Sequence, residues 1–152
     1  MRALSIGLVA ILVVGAAGVV ARLVVDLIRG GPETNSPGQL IRAGSVVLVY
    51  VIITFSFLYW ELDGGGPEER TLNPPAFPDL AFPEQINPGV ARPGWRPEFP
   101  DYLYLGFTNA TAFSPTDVMP LARWTKMLFL VQSAISLGAA ALVIARAVNI
   151  LK

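Results

Sequence analysis

Three apolar runs constrain the fold of this chain more than any other feature. They extend from Ala3 to Ala21, from Leu40 to Trp60 and from Trp124 to Ala145. Each is close to the length of about 20 predominantly apolar residues that crosses a bilayer. Hydrocarbon offers the backbone no hydrogen-bond partner, so a single span of this kind must be a helix. Charged residues make up only 14% of the chain, against about 25% in soluble domains. The sequence therefore predicts an all-α, multi-pass membrane protein.

The composition excludes several classes of function. The chain has neither Cys nor His, which removes disulfides, thiolate and imidazole metal ligands, and Ser-His-Asp catalysis. Its formal net charge is zero, so no basic field attracts nucleic acid. The only lysines are Lys126 and Lys152, and neither lies near a convincing nucleophile in the sequence. We therefore predict no enzyme activity, no metal site, no cofactor and no nucleic-acid partner.

The first apolar run has two interpretations. It follows Arg2 and ends in small residues, as a secretory signal peptide does. Its uncharged stretch from Ala3 to Ala21 is nevertheless 19 residues long, whereas the apolar region of a signal peptide has about 7–15 residues. The apolar pattern also resumes after Arg22. This favours a retained helix over residues 1–29.

The segment after the second run is rich in proline and acidic residues. Nine of the 13 prolines lie between Pro67 and Pro100, a composition that is also typical of a disordered linker. Four aromatic residues in the same segment favour an ordered, extended cap on the membrane face; they are Phe77, Phe82, Trp95 and Phe99. Trp60, at the end of the second run, is placed at the membrane–water interface by its residue type.

A short helix is predicted after this segment. Asp101 is a good N-cap, and the following residues form about three turns with Tyr102, Leu105 and Asn109 along one side. Such a helix is too short to span a bilayer, and Pro115 disfavours helix at the residue before it. Non-helical backbone at that depth needs protein or a water-filled cavity around it. The pattern favours a re-entrant helix that is shielded by an assembly.

The order of these segments, and the residues after the short helix, resemble the pore of the two-transmembrane potassium-channel superfamily. In that family the short helix is followed by T-T-V-G-Y-G-D and, a few residues later, by Pro. The string here is TAFSPTDVMP, in which Thr111, Asp117 and Pro120 match in place. The last apolar run is similar to the inner helix of the family. The likeness covers roughly Leu40 to Lys152, and the chain also resembles uncharacterised bacterial membrane proteins with a channel-like C-terminal half.

The resemblance implies a homotetramer in the lipid bilayer of a bacterial plasma (inner) membrane. It implies three transmembrane helices, a re-entrant pore helix, and a potassium-channel-like pore in the C-terminal half with a monovalent cation as the candidate permeant. The filter-like residues would be Thr111, Ala112, Phe113, Ser114, Pro115, Thr116 and Asp117. The same likeness places the Pro-rich segment outside the cell and the turn at residues 30–39 inside.

The filter-like string departs from the family pattern. Ser114 and Thr116 stand where the family has glycines, whose unusual dihedrals let carbonyls replace the hydration shell of an ion. Pro115 takes the aromatic position and Phe113 the valine position. A potassium-selective carbonyl stack is therefore not expected. A constriction of hydroxyls with a ring of Asp117 carboxylates would favour cations, while Phe113 and Pro115 fit a blocked, non-conducting remnant equally well.

The last apolar run contains polar residues with two interpretations. Gln132 and Ser136 share a helix face and are candidates to line a cavity; membrane bundles use the same residue types for contacts between helices. Gly138 is a candidate hinge or a close-packing site. Arg123 and Lys126 would form an electrostatic barrier at a pore mouth, or simply anchor the helix by snorkelling, which we favour.

Two functions follow from these patterns. The first is an oligomeric, cation-permeable pore with weak or no potassium selectivity. The second is a non-conducting structural or accessory subunit of a larger membrane complex, in which the Pro-rich segment contacts a partner.

The chain is predicted to divide into an N-terminal helix (1–29), a cytoplasmic turn (30–39), an outer helix (40–60), an extracytoplasmic segment (61–100), a pore helix with its loop (101–120) and an inner helix (121–152).

Overall fold

The computed structural model describes residues 2–30, 36–111 and 117–150. Its elements in chain order are α1 (Arg2–Arg29), α2 (Pro37–Leu62), α3 (Pro67–Leu72), β1 (Leu80–Ala81), α4 (Pro83–Ile86), α5 (Phe99–Thr111), β2 (Met119–Pro120) and α6 (Arg123–Ile150). A single 3₁₀ turn, Asp63–Gly65, follows α2.

Within the described residues, α1, α2 and α6 are three helices that are long and apolar enough to cross a membrane. They contain the three apolar runs, so the prediction of a helical, multi-pass membrane protein is confirmed at this level. Each helix extends past its apolar run because flanking polar residues can continue or cap a helix. At the start of α2, for example, the Ser36 hydroxyl accepts a hydrogen bond from the Gln39 amide, and Pro37 occupies the first turn, where its missing N–H costs nothing.

Helix α2 is the centre of the bundle and packs against α1, α5 and α6. Its buried apolar stripe recurs at spacings of seven and four residues, as one helix face does; the stripe is Leu40, Val47, Val51, Phe55 and Tyr59. Three glycines end this helix and turn the chain back over it. Gly64, Gly65 and Gly66 have φ values of 56°, 81° and 104°, which side-chain-bearing residues rarely adopt.

The Pro-rich segment is folded onto the end of the bundle at which α2 ends and α6 begins, and we call residues 63–98 the cap. Besides extended stretches it contains two short helices, α3 and α4, and the strand β1. This strand pairs antiparallel with β2, Leu80 opposite Pro120 and Ala81 opposite Met119. The ring of Phe82 packs 5.9 Å from Trp95 and 5.2 Å from Tyr102. The aromatic residues of the segment thus fix it to α5.

Helix α5 begins at Phe99, two residues before the N-cap that the sequence predicts. Pro100 is tolerated in the first turn, so the helix includes it. The Asp101 carboxylate accepts a hydrogen bond from the Glu98 amide at 2.7 Å; it therefore stabilises the helix start from inside the first turn. Predicting Asp101 as the N-cap was wrong for this reason. Tyr102, Leu105 and Asn109 are all buried, which matches the face that the spacing groups together.

Candidate functional site

Helix α5 lies directly on α2, and its contacts move steadily along that helix. The Phe99 ring packs 4.6 Å from Phe57 and 5.8 Å from Trp60. Seven residues later, a Cβ atom at Gly106 would meet the hydroxyl of Ser56, and the Ile52 carbonyl oxygen at 3.1 Å. The absence of a side chain at Gly106 is what lets the two backbones approach this closely. Between Phe99 and Gly106, α5 therefore runs beside the stretch of α2 from Ile52 to Trp60.

A buried polar cluster joins α2, α5 and α6, and we call its residues Tyr59, Asn109, Gln132 and Ser133 the amide cluster. The Gln132 side chain is fully buried, and its carbonyl oxygen accepts from the Tyr59 hydroxyl at 2.7 Å and from the Asn109 amide at 2.8 Å. Its own amide donates to the Gly106 carbonyl at 2.7 Å. Gln132 therefore holds one side chain from α2 and the backbone of α5 at once.

Asn109 is the second centre of the amide cluster. Its amide also lies 3.2 Å from the Phe129 carbonyl, and its side-chain oxygen accepts from the Ser133 hydroxyl at 3.1 Å. Buried polar groups are tolerated when they are hydrogen-bonded in this way. All members are uncharged at neutral pH. The cluster fixes α5 against α6 without placing a charge among the spanning helices.

A second cluster lies at the end of the bundle, and we call its residues Asp63, Arg70, Asp79 and Tyr102 the cap cluster. Asp63 accepts from the Tyr102 hydroxyl at 2.7 Å and from the Leu80 amide at 3.2 Å. The Arg70 Nε lies 4.0 Å from the same carboxylate, and its guanidinium stacks 5.1 Å from the centre of the Tyr102 ring, a cation–π contact. Burial, and then the Asp63 charge, raise the pKa of Tyr102 above its usual range, which keeps its hydroxyl a donor at neutral pH.

The cap cluster also joins the end of α2 to the start of α6. Arg70 donates to the Trp60 carbonyl at 2.7 Å and to the Asp63 carbonyl at 2.5 Å, satisfying acceptors that a helix C-terminus leaves open. Asp79 accepts from the Gly64 amide at 3.0 Å and from the Trp124 indole at 3.2 Å. The cap is thus fixed to both spanning helices beside α5.

The filter-like residues lie only partly within the described chain. Thr111 is the last residue of α5, and its hydroxyl donates to the Phe107 carbonyl at 3.1 Å. Ala112, Phe113, Ser114, Pro115 and Thr116 lie outside the described residues. Asp117 is exposed, and Val118 after it is buried. The described residues on either side of this stretch are fixed, Asn109 by the amide cluster and Met119 by the β1–β2 pairing.

The candidate residues of α6 have different surroundings in the structure. Gln132 belongs to the amide cluster, so in the single chain it contacts protein and not an open cavity. Ser136 is buried, its hydroxyl has no hydrogen-bond partner, and it lines a groove between α2 and α6. The position of a Cβ atom on Gly138 has no neighbouring atom within 4 Å, so in one chain this glycine is not a close-packing site. Arg123 and Lys126 are exposed.

The sequence alone did not identify the cap cluster or the role of Tyr59. Asp63 and Tyr102 are 39 residues apart, and Asp79 and Trp124 are 45 apart, so no local spacing links them. One signal was present in the sequence: Asp63 follows an apolar run almost directly, and a carboxylate that close to a membrane span needs a partner.

Comparisons with protein-family models, with curated proteins and with solved structures find no match for this chain. Its function is therefore inferred from the way α5 is held between α2 and α6.

Proposed function

We propose that this chain forms an oligomeric, cation-permeable pore with weak or no potassium selectivity. In this proposal α5 is a re-entrant pore helix and residues 111–117 form the constriction. The observation that carries the proposal is the depth at which α5 contacts α2 and α6.

Two tryptophans provide reference points for that depth, because Trp favours the membrane–water interface. Trp60 lies eight residues from Ile52 on α2, and Trp124 lies eight residues from Gln132 on α6. At 1.5 Å per residue, each separation is about 12 Å. Gly106 of α5 contacts Ser56, the Ile52 carbonyl and the Gln132 side chain. Contacts at these positions on both helices support a depth for α5 inside a hydrocarbon core about 30 Å thick.

The path of the chain after α5 supports the same interpretation. Thirteen residues of helix are about 20 Å long, too short to cross the bilayer. Met119 is nevertheless paired with Ala81 in the cap, next to Asp79, which contacts Trp124 at the start of α6. The return of the chain to the cap at Met119, so soon after α5, supports the proposal of a re-entrant segment.

The electrostatics of this arrangement favour a cation. The C-terminus of α5 carries the negative end of the helix dipole, and the exposed Asp117 carboxylate follows it at the other end of the loop. Non-helical backbone at membrane depth must be surrounded by protein or water, which one chain does not provide, so we propose a homotetramer. Four Asp117 carboxylates around an axis would attract cations. Without glycines at positions 114 and 116, discrimination between K⁺ and Na⁺ is expected to be weak.

The test is a measurement of assembly and flux on the purified full chain. We expect a tetramer by mass, and fluxes of Na⁺ and K⁺ in liposomes that are similar to each other. Asp117→Asn should lower both fluxes several-fold because it removes the ring of charge. The matched control is Glu68→Gln, which neutralises an exposed carboxylate of the cap and should leave flux unchanged. A monomer without flux would contradict the proposal, as would equal losses in the two variants.

One observation favours the second candidate function, an accessory subunit of a larger complex. The cap exposes apolar side chains that it does not need for its own packing, with Phe77 89% and Leu72 68% exposed. An open cleft of about 840 Å³, lined by Trp60, Arg70 and Trp95, lies on the same segment. A different protein that co-purifies in fixed ratio, and is lost in Phe77→Ser, would support this function against the pore.

A further inference from the structure

We propose that the groove between α2 and α6 binds one acyl chain of an anionic phospholipid, with the headgroup at the end of the bundle away from the cap. The groove has a volume of about 240 Å³ and runs along α2 from Ile41 to Val51, opposite Ile135 to Val143 of α6. Its lining is apolar apart from the hydroxyls of Ser45 and Ser136. This inference depends on membrane insertion but not on conduction.

The groove favours a thin chain over a second protein helix, because a helix with its side chains is about 10 Å across. The floor is also closed to bulky groups, since a Cβ atom on Gly44 would lie 3.2 Å from the side chain of Val143. A flexible hydrocarbon chain from the surrounding bilayer fits a shallow apolar groove of this size.

The distribution of charge along the chain favours an anionic headgroup. At the end away from the cap, the described residues 22–30, 36–42 and 146–150 hold four basic residues and one acidic residue. The other described residues hold six basic and nine acidic ones. The end at which the groove opens is therefore basic while the cap end is acidic. Basic side chains near a membrane surface attract anionic lipids by about 1 kcal/mol each.

Arg146 is the basic residue best placed for the headgroup. It lies less than one helical turn beyond Val143 on α6. A guanidinium nitrogen of Arg146 lies 2.9 Å from the position of a Cβ atom on Gly30, just past the end of α1, so its charge is held at the end of the bundle. Arg42 is exposed on the first turns of α2. Both arginines also interact within the chain, and a lipid phosphate would add to those interactions without replacing them.

The experiment compares two lipids on the purified full chain in detergent. Phosphatidylglycerol and phosphatidylcholine with identical acyl chains are added, and bound lipid is counted by native mass spectrometry while the thermal unfolding midpoint is followed. We expect phosphatidylglycerol to bind about fivefold more tightly for each arginine engaged and to raise the midpoint more. Equal binding and equal midpoints for the two lipids would overturn the proposal, whatever the variants show.

Two variants test the location. Ala140→Phe fills the groove and should abolish the difference between the lipids, whereas Ala141→Phe, one residue on and outside the groove, should retain it. Arg146→Gln should weaken phosphatidylglycerol binding several-fold and leave phosphatidylcholine unchanged, and it decides the location if Ala140→Phe does not fold. Identical behaviour of the two phenylalanine variants would overturn the proposal. A change of oligomeric state in Ala140→Phe with lipid binding intact would also overturn it, in favour of a second copy in the groove.

Discussion

The amide cluster and the cap cluster hold the same short helix with different chemistry. The amide cluster fixes the second half of α5 with uncharged groups, a phenol, two carboxamides and a hydroxyl. The cap cluster fixes its start through Tyr102, whose hydroxyl donates to the Asp63 carboxylate and whose ring lies against the Arg70 guanidinium. The difference follows the position of each cluster along the spanning helices, since the cap cluster lies at the ends of α2 and α6 and the amide cluster lies deeper.

The cost of burying charge explains this division. An ionised group in hydrocarbon is expensive even when it is paired, whereas a carboxamide needs only hydrogen-bond partners. Near the membrane surface the cost falls, and a carboxylate can then order a loop by accepting several amide hydrogen bonds. Asp63 and Asp79 do this for the turn after α2 and for the strand β1. The chain uses charge where the backbone is irregular and amides where it is helical.

The largest effect is expected from breaking the cap cluster. Asp63→Ala leaves Arg70, the Tyr102 hydroxyl and the Leu80 amide without their shared partner. Loss of one member of a buried ion pair costs about 3–5 kcal/mol, which denaturant or thermal unfolding in detergent would measure. The control is Arg22→Ala, because Arg22 pairs with Asp26 at 3.8 Å but has a side chain 79% exposed. A pair of that kind contributes about 1 kcal/mol or less. Equal losses in the two variants would show that the cap cluster carries no special stability.

A smaller effect is expected in the amide cluster. Gln132→Leu keeps the approximate volume and removes the acceptor of the Tyr59 hydroxyl and of the Asn109 amide, together with the side-chain donor to the Gly106 carbonyl. An unsatisfied buried polar group costs about 1–3 kcal/mol, so the unfolding free energy should fall by about that amount. Asn149→Leu is the matched control, since it removes an exposed carboxamide from the same helix. If the two substitutions have the same effect, the amide cluster is not what fixes α5.

The smallest effect is expected at the crossing of α5 and α2. Gly106→Ala places a methyl group against Ser56 and the Ile52 carbonyl, an overpacking cost of about 1–3 kcal/mol. Alanine regains about 1 kcal/mol of helix propensity, so the net loss should be about 1 kcal/mol. Adding Ser56→Ala should restore part of it.

Gly138→Ala, with no atom near the added methyl group, should be neutral or stabilising. A change in cation flux without a change in stability would support Gly138 as a hinge.

The sequence predicted the features that depend on local pattern. The three spanning helices follow from the length and hydropathy of their runs, and the face of α5 with Tyr102, Leu105 and Asn109 follows from helical spacing. The predicted start of α5 is two residues late, because Asp101 can stabilise a helix either as its N-cap or from within its first turn. Helical spacing predicts which face of α6 carries Gln132, but it does not predict which residues lie opposite that face. The sequence alone therefore fits both a cavity-lining role and a contact between helices.

Such local patterns do not predict the amide cluster or the cap cluster. Most of the hydrogen bonds that define them join residues far apart in the chain, such as Asn109 with Tyr59 at a separation of 50. Which polar residues meet depends on how α2, α5 and α6 are arranged around one another. The filter-like string is the opposite case, because its resemblance to the channel family rests on the sequence alone. Ala112 to Thr116 lie outside the described residues, so their role stays a prediction.

The position of Gln132 in the chain has a consequence for biogenesis. During synthesis the hairpin of α1 and α2 emerges first, and α5 follows with Ser56 and Tyr59 already available to it. Its remaining partner is made last, since Gln132 follows Asn109 by 23 residues. Until α6 is inserted, the Asn109 amide has the Tyr59 hydroxyl but lacks its acceptors on α6, and a carboxamide with an unsatisfied N–H is disfavoured in hydrocarbon. Helix α5 is therefore expected to wait at the membrane surface and to enter the bundle only after α6, which makes its insertion the closing step of assembly.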